Sequence, residues 1–100
     1  MTAGVYRIFD EKTGDSFVGF TYHFEGVKKR LRFELTLNAC SYKPLQLFWN
    51  ERGELAIELI EAYAPDPARL DIEHDAYLRA RVFHWQEKLG PNTKLLQTQI

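Results

Sequence analysis

Gly4-Val5-Tyr6-Arg7-Ile8-Phe9-Asp10-Glu11-Lys12-Thr13-Gly14-Asp15-Ser16-Phe17-Val18-Gly19-Phe20-Thr21 is the stretch whose reading decides the fold. Its arms, Val5 to Phe9 and Ser16 to Thr21, are rich in β-branched and aromatic residues, and the polar segment between them carries Thr13-Gly14. Turn formers between two runs that prefer a pleated, half-buried state predict a β-hairpin. With the turn centred near Lys12-Thr13, Tyr6 falls opposite Gly19 and shares a sheet face with Phe17, one diagonal step away. Two readings of the Tyr6–Gly19 pair stand open. The glycine leaves the ring uncovered so that its hydroxyl can meet a ligand, or it marks a bulge in a twisted hairpin.

Working outward, Tyr22 to Gly26 reads as a connection, and a helix follows. Val27, Leu31 and Leu35 recur at i, i+4 and i+8, a narrow apolar stripe suited to lie on a sheet. Lys28, Lys29 and Arg32 fall elsewhere around that helix, and Arg30 is placed to pair with Glu34 one turn on. After the loop Asn38 to Ser41, Pro44 opens a short helix, Leu45 to Asn50, that Gly53 ends. Leu55 to Tyr63 alternates in part and predicts a third strand. Ala64-Pro65-Asp66-Pro67 breaks the chain before a long helix over Ala68 to Leu89, which Gly90-Pro91 stops. Its apolar residues form two arcs: Leu78, Val82, Trp85 and Leu89 in one, Ile72, Ala76, Ala80 and Phe83 in the other. Two arcs predict contacts on two sides, the second with a neighbouring helix or with a partner chain. The tail, Asn92 to Ile100, is expected to pack loosely.

The chain has 100 residues, 45% of them hydrophobic and 27% charged, ordinary for a globular protein and enough for one domain over 1–100. No apolar run approaches the ~20 residues a membrane helix needs, and the start does not read as a signal peptide, so a cytoplasmic protein away from membranes is the expectation. Cys40 is the only cysteine, which rules out an internal disulfide. With a net charge of −1 the chain lacks the overall basic excess of most stand-alone nucleic-acid binders. Any such surface is local, and the one basic cluster is Lys28, Lys29, Arg30 and Arg32. His23, His74, His84 and Cys40 show no zinc spacing, and no Gly-rich phosphate loop, nucleophile-elbow serine or Cys-x-x-Cys is present.

Gly4-Val5-Tyr6 and Phe17-Val18-Gly19, in that order and at that spacing, resemble the two motifs of the GIY-YIG nuclease family. The resemblance continues through Val27 to Leu35, similar to the family's helix with a catalytic arginine, and through Leu45-Gln46, Trp49-Asn50 and Gly53-Glu54. It covers roughly the first sixty residues well and the last helix loosely. It implies an α/β fold of order β-β-α-α-β-α, with a three-stranded, mainly antiparallel sheet flanked by helices. It also implies a site in which a divalent ion, Mg²⁺ or Mn²⁺, held by a glutamate on the last helix, helps cleave a DNA phosphodiester. Tyr6 would activate or position water, Arg30 would steady the phosphate, and Phe17 replaces the second tyrosine, deleting one hydroxyl. Lys28, Lys29, Arg32 and Gly19 would lie along the substrate.

The departure that matters is the metal ligand. Matching the helix around Trp85 to the family puts Val82 at the glutamate position, and valine offers a hard cation nothing. A shifted register makes Asp75 the ligand instead, at the expense of the Trp85 match. Asn92 and Gln97 are the amides near the chain end where the resemblance expects an asparagine. The expected function is therefore a GIY-YIG-like domain without effective catalysis, needing no cofactor and binding nucleic acid or protein. The alternative is an active metal-dependent DNA endonuclease, and a homodimer through the second arc of the long helix is a third reading.

Overall fold

The computed structural model describes residues 2–96. The hairpin arms become β1 (Ala3–Phe9) and β2 (Ser16–Thr21), antiparallel, with Tyr6 opposite Gly19 as the turn position requires. Asp10 closes the turn. Its backbone bonds Gly14 and Asp15, and its carboxylate accepts from the Lys12 N–H at 2.9 Å and from Arg52 at 3.1 Å. Arg52 also pairs with Asp15 at 2.8 Å, so one guanidinium ties the turn to a helix distant in sequence.

β3 (Ala56–Tyr63) lies antiparallel on the free edge of β1, with a bulge between Val5 and Tyr6. Gly4 makes that pairing fit. Its φ is +155°, and a Cβ there would stand 2.0 Å from the Glu61 carbonyl oxygen, an overlap between backbones that no rotamer change relieves.

The sheet has four strands rather than three, and it is mixed rather than antiparallel throughout. Thr93–Leu95 forms β4, parallel to β2, giving the order β3-β1-β2-β4. The tail expected to pack loosely thus caps the open edge of β2, where unpaired backbone groups need partners. A three-residue strand is too short to show alternation, which is why the pattern of the sequence does not reveal it. Residues 97–100 of that tail lie outside the described part of the chain.

Helix α1 (Phe24–Thr36) begins earlier than Val27, because Phe24 is itself an anchor: its ring is buried and its N–H bonds the Thr2 carbonyl at 2.7 Å. Helix α2 (Lys43–Arg52) has Pro44 in its first turn and Gly53 at its end, as read. Helix α3 (Asp71–Leu89) starts three residues later than Ala68. Asp66 explains the delay: its carboxylate accepts from the Ala68 N–H and its carbonyl from the Arg69 N–H, fixing a turn where the helix would have begun.

Successive strand residues point to opposite faces, and the core divides accordingly. Tyr6, Ile8, Phe17 and Ile57 pack under α1 and α2 with Phe24, Val27, Leu31, Leu35 and Leu45. Val5 and Val18, on the other face, pack under α3 with Val82, Trp85 and Leu89. Leu31 and Leu45 are fully enclosed, and each such burial contributes on the order of 2 kcal/mol.

Candidate functional site

Tyr6 projects from β1 toward α1. Its ring is 1% exposed, so the glycine opposite does not leave it uncovered as the hairpin alone suggested. The cover comes from the far end of the chain. Leu96 follows β4, its N–H bonds the Val18 carbonyl at 2.8 Å, and its side chain lies over Gly19. A Cβ on Gly19 would meet Leu96 at 3.2 Å and the Tyr6 hydroxyl at 3.4 Å, so one glycine surface serves both groups. Burial pushes the Tyr6 phenol well above its ordinary pKa; the Arg30 charge works against that rise and Cys40 adds to it. A phenol held neutral this firmly is a poor base near pH 7.

Arg30 is half exposed, with Nε 3.8 Å from Glu34, so the helical pair read from the sequence forms, at long range. Lys29 and Arg32 are exposed on the same helix, Arg32 lying 3.7 Å from Glu54. Lys28 extends over the Phe24 ring at 6.0 Å. The basic cluster therefore borders the Tyr6 side of the sheet without closing over it. Phe17 is a core residue: its ring meets Tyr42 edge-on at 6.2 Å and Phe48 at 5.4 Å. A hydroxyl there would have to find a partner among aromatics.

Val82 is 6% exposed. It lines a hollow of ≈ 240 Å³ at the β2 edge with Gly19, Phe20, Arg79, Phe83, Leu95 and Leu96. Among the described residues the one charged side chain lining it is Arg79, whose guanidinium repels a cation. Asp75 is engaged elsewhere: its carboxylate accepts a short hydrogen bond from Tyr22, and that pairing and the charges of Asp75 and Asp71 add to burial in raising the Tyr22 phenol. Among the described residues no group of three or more His, Cys, Asp or Glu is placed to hold a metal ion. The donor set around Tyr6 does not fit a divalent cation, which needs several oxygens at once. His74 is buried in a bridge between the Tyr63 hydroxyl and the Asp66 carbonyl, a structural role. Asn92 sits in the turn before β4, its carbonyl accepting from the Ser16 N–H, while Gln97 lies outside the described residues.

Two contributions escaped the sequence reading. Leu96 is one, and its only signal was an apolar pair after a Gly-Pro turn. Gln46 is the other: it accepts from the Cys40 N–H and donates to the Leu35 carbonyl and to Asn50, stitching the loop after α1 to α2. The Leu45-Gln46 and Trp49-Asn50 signature is thus at least partly architectural.

Comparison with known proteins agrees with this geometry at the level of the fold. No family model matches the sequence, and no curated protein does. Two solved structures of the catalytic domain of I-TevI, a GIY-YIG homing endonuclease, superpose on it with a TM-score of 0.69 at 22% identity. One, an engineered point mutant of that intron endonuclease, is covered over 84% of its length and covers 89% of this chain. The other is covered over 99% and covers 96%. The fold is GIY-YIG-like, three helices on a mixed four-stranded sheet.

Proposed function

We propose that this chain is a GIY-YIG-like domain in which phosphodiester cleavage is lost and which acts as a binding module, with nucleic acid as the partner its basic helix favours. One observation carries the reading. Leu96 lies over Gly19 beside the Tyr6 hydroxyl, and the neighbouring hollow is walled by Val82, Leu95 and Phe83 in place of oxygen donors. A developing phosphoryl charge needs pre-positioned positive charge and an ionisable attacking group. Here the phenol is buried, and the one charged side chain lining the hollow among the described residues is Arg79, a cation. Lys28, Lys29, Arg30 and Arg32 remain able to meet phosphates from outside, with Gly19 behind them under its leucine.

The test is plasmid nicking in Mg²⁺ and in Mn²⁺, run beside thermal melts with and without the ion. The reading expects no nicking and no saturable rise in melting temperature, since an ion stabilises only a state that binds it. It expects duplex or single-stranded oligonucleotides to bind with a salt dependence that flattens in Arg30→Ala and Lys29→Ala, each removing about one phosphate contact. Nicking by the wild-type chain that stops in Tyr6→Phe would overturn it.

The second reading, an active Mg²⁺- or Mn²⁺-dependent DNA endonuclease, draws on two facts: the Arg30 charge is felt at the Tyr6 phenol, and Asp75 faces a tyrosine hydroxyl from α3. It requires Leu96 to move away and Asp75 to leave Tyr22. Asp75→Ala separates the readings: an active enzyme that uses this carboxylate loses its nicking and its ion-dependent stabilisation, whereas a silent scaffold has neither to lose.

A further inference from the structure

Phe33 is 67% exposed on α1. A lone apolar side chain on a surface is ordinary, but the neighbours of this one are not. Phe24, Val27, Leu31 and Leu35 turn one side of α1 to the core. On the opposite side, Gly26, Lys29, Arg30, Thr36 and Leu37 all fall within about 60° of Phe33 around the helix, and no carboxylate does. Glu25 and Glu34 stand at the flanks, roughly 80° and 100° away, with Arg32 and Lys28 beyond Glu25. Arg30 keeps its Nε 3.8 Å from Glu34, and Arg32 lies 3.7 Å from Glu54. Both separations exceed a hydrogen bond, and exposed pairs this loose hold little against a competing phosphate. Among the described residues no carboxylate pairs with Lys29. Gly26 leaves open ground one turn below, since a Cβ there would meet nothing within 4 Å. We infer that this outer face of α1 takes single-stranded nucleic acid, with a base stacked on Phe33 and the adjoining phosphates on Lys29 and Arg30.

Charge selects a polyanion. α1 carries four basic and two acidic side chains in a chain whose total is −1, so positive charge gathers on this helix and the remainder is net negative. Lys29 and Arg30 begin roughly 5 Å before Phe33 along the axis, and their long side chains reach the backbone of a nucleotide whose base lies on the ring. The ring selects the strand form. A single strand presents the flat face of each base, which a phenyl ring meets by stacking whatever the base is. In a duplex those faces are already covered by neighbouring base pairs, and charge alone must hold the backbone. Proteins that hold duplex in that way neutralise roughly six to ten phosphates, more than the four cations of α1 supply. This assignment rests on nucleic acid being the partner of the basic helix, as proposed above, and adds the strand form and the residue that meets the base.

Fluorescence anisotropy tests it with three labelled probes: a thymidine single strand about a dozen nucleotides long, an abasic strand of the same length, and a duplex. The thymidine strand is expected to bind at least about fivefold tighter than either of the others. Phe33→Leu keeps an apolar side chain and removes the ring; it is expected to weaken thymidine-strand binding about tenfold and to leave the melting temperature where it is. Phe33→Trp, which enlarges the stacking surface, is expected to bind that strand at least as tightly as the wild type. Equal affinity for the thymidine and abasic strands overturns the stacking, as does a Phe33→Leu protein that binds like the wild type; the basic helix then still has its partner. Tighter binding to the duplex overturns the strand form. Failure of all three probes to bind overturns this assignment and the nucleic-acid reading together, and gives the Phe33 and Leu37 face to a protein partner.

Discussion

The seam between β1 and β3 and the seam between β2 and β4 each hold one motif glycine, and they close in opposite ways. At Gly4 the partner is backbone: the Glu61 carbonyl occupies the space a Cβ would need, at a φ that side chains rarely adopt. At Gly19 the partner is a leucine side chain delivered by a strand of three residues. The first contact is fixed by the pairing of long strands. The second depends on what the end of the chain happens to bring. The motif therefore reports the fold through Gly4 with much more force than it reports a reaction through Gly19.

The largest expected effect breaks the first seam. Gly4→Ala must relieve an approach of 2.0 Å and a φ of +155°, and no flexible group is there to yield. We expect a loss of more than ~3 kcal/mol in urea unfolding, among the large values for a single substitution. A loss below about 1 kcal/mol would mean that β1 and β3 can slide apart and that the two glycines are not different in kind.

The next effect opens the second seam. Leu96 is only partly buried, so Leu96→Ala should cost about 1 kcal/mol, below the range for fully enclosed leucines. Its sharper signature is the titration of Tyr6. An unfolded tyrosine loses its proton near pH 10, whereas burial holds the Tyr6 phenol protonated above that. The stabilisation this lends is complete below about pH 10 and disappears as the pH rises toward the folded value. Leu96→Ala should lower the pH at which the phenol ionises, followed by ultraviolet absorbance with Tyr6→Phe as the reference. Tyr22, also raised, should be unmoved. An unchanged alkaline titration would show that Leu96 is not what seals the ring.

The same contrast explains what the sequence made legible. The hairpin register followed from turn residues a few positions away, and the α1 stripe of Val27, Leu31 and Leu35 followed from helical periodicity; both are local rules. The break before α3 was legible as Pro65 and Pro67, but the helix start was not, because the Asp66 carboxylate chose a turn over a helix cap. β4 escaped because three residues carry no period. The state of the candidate site depended on contacts between distant segments: Leu96 against Gly19, Asp75 against Tyr22, Gln46 against Leu35. Val82 alone could be read in advance as unable to ligate, since that depends on residue type and not on surroundings.

The smallest expected effect is the most discriminating. Gly19→Ala places a methyl 3.2 Å from Leu96, tighter than ordinary contact, yet the neighbour is a side chain at the end of a short strand and can shift by a few tenths of an ångström. Removing a glycine from a strand returns about 0.5–1 kcal/mol through the unfolded chain, which offsets much of that crowding. Net stability should change by less than ~1 kcal/mol in either direction, against the large loss at Gly4. The methyl also sits 3.4 Å from the Tyr6 hydroxyl, where any phosphate using that phenol would have to pass. Oligonucleotide binding through the outer face of α1 should be untouched. A folded Gly19→Ala protein that loses affinity or nicking would place the ligand over Gly19, and the leucine there would then be a movable cover over a working site.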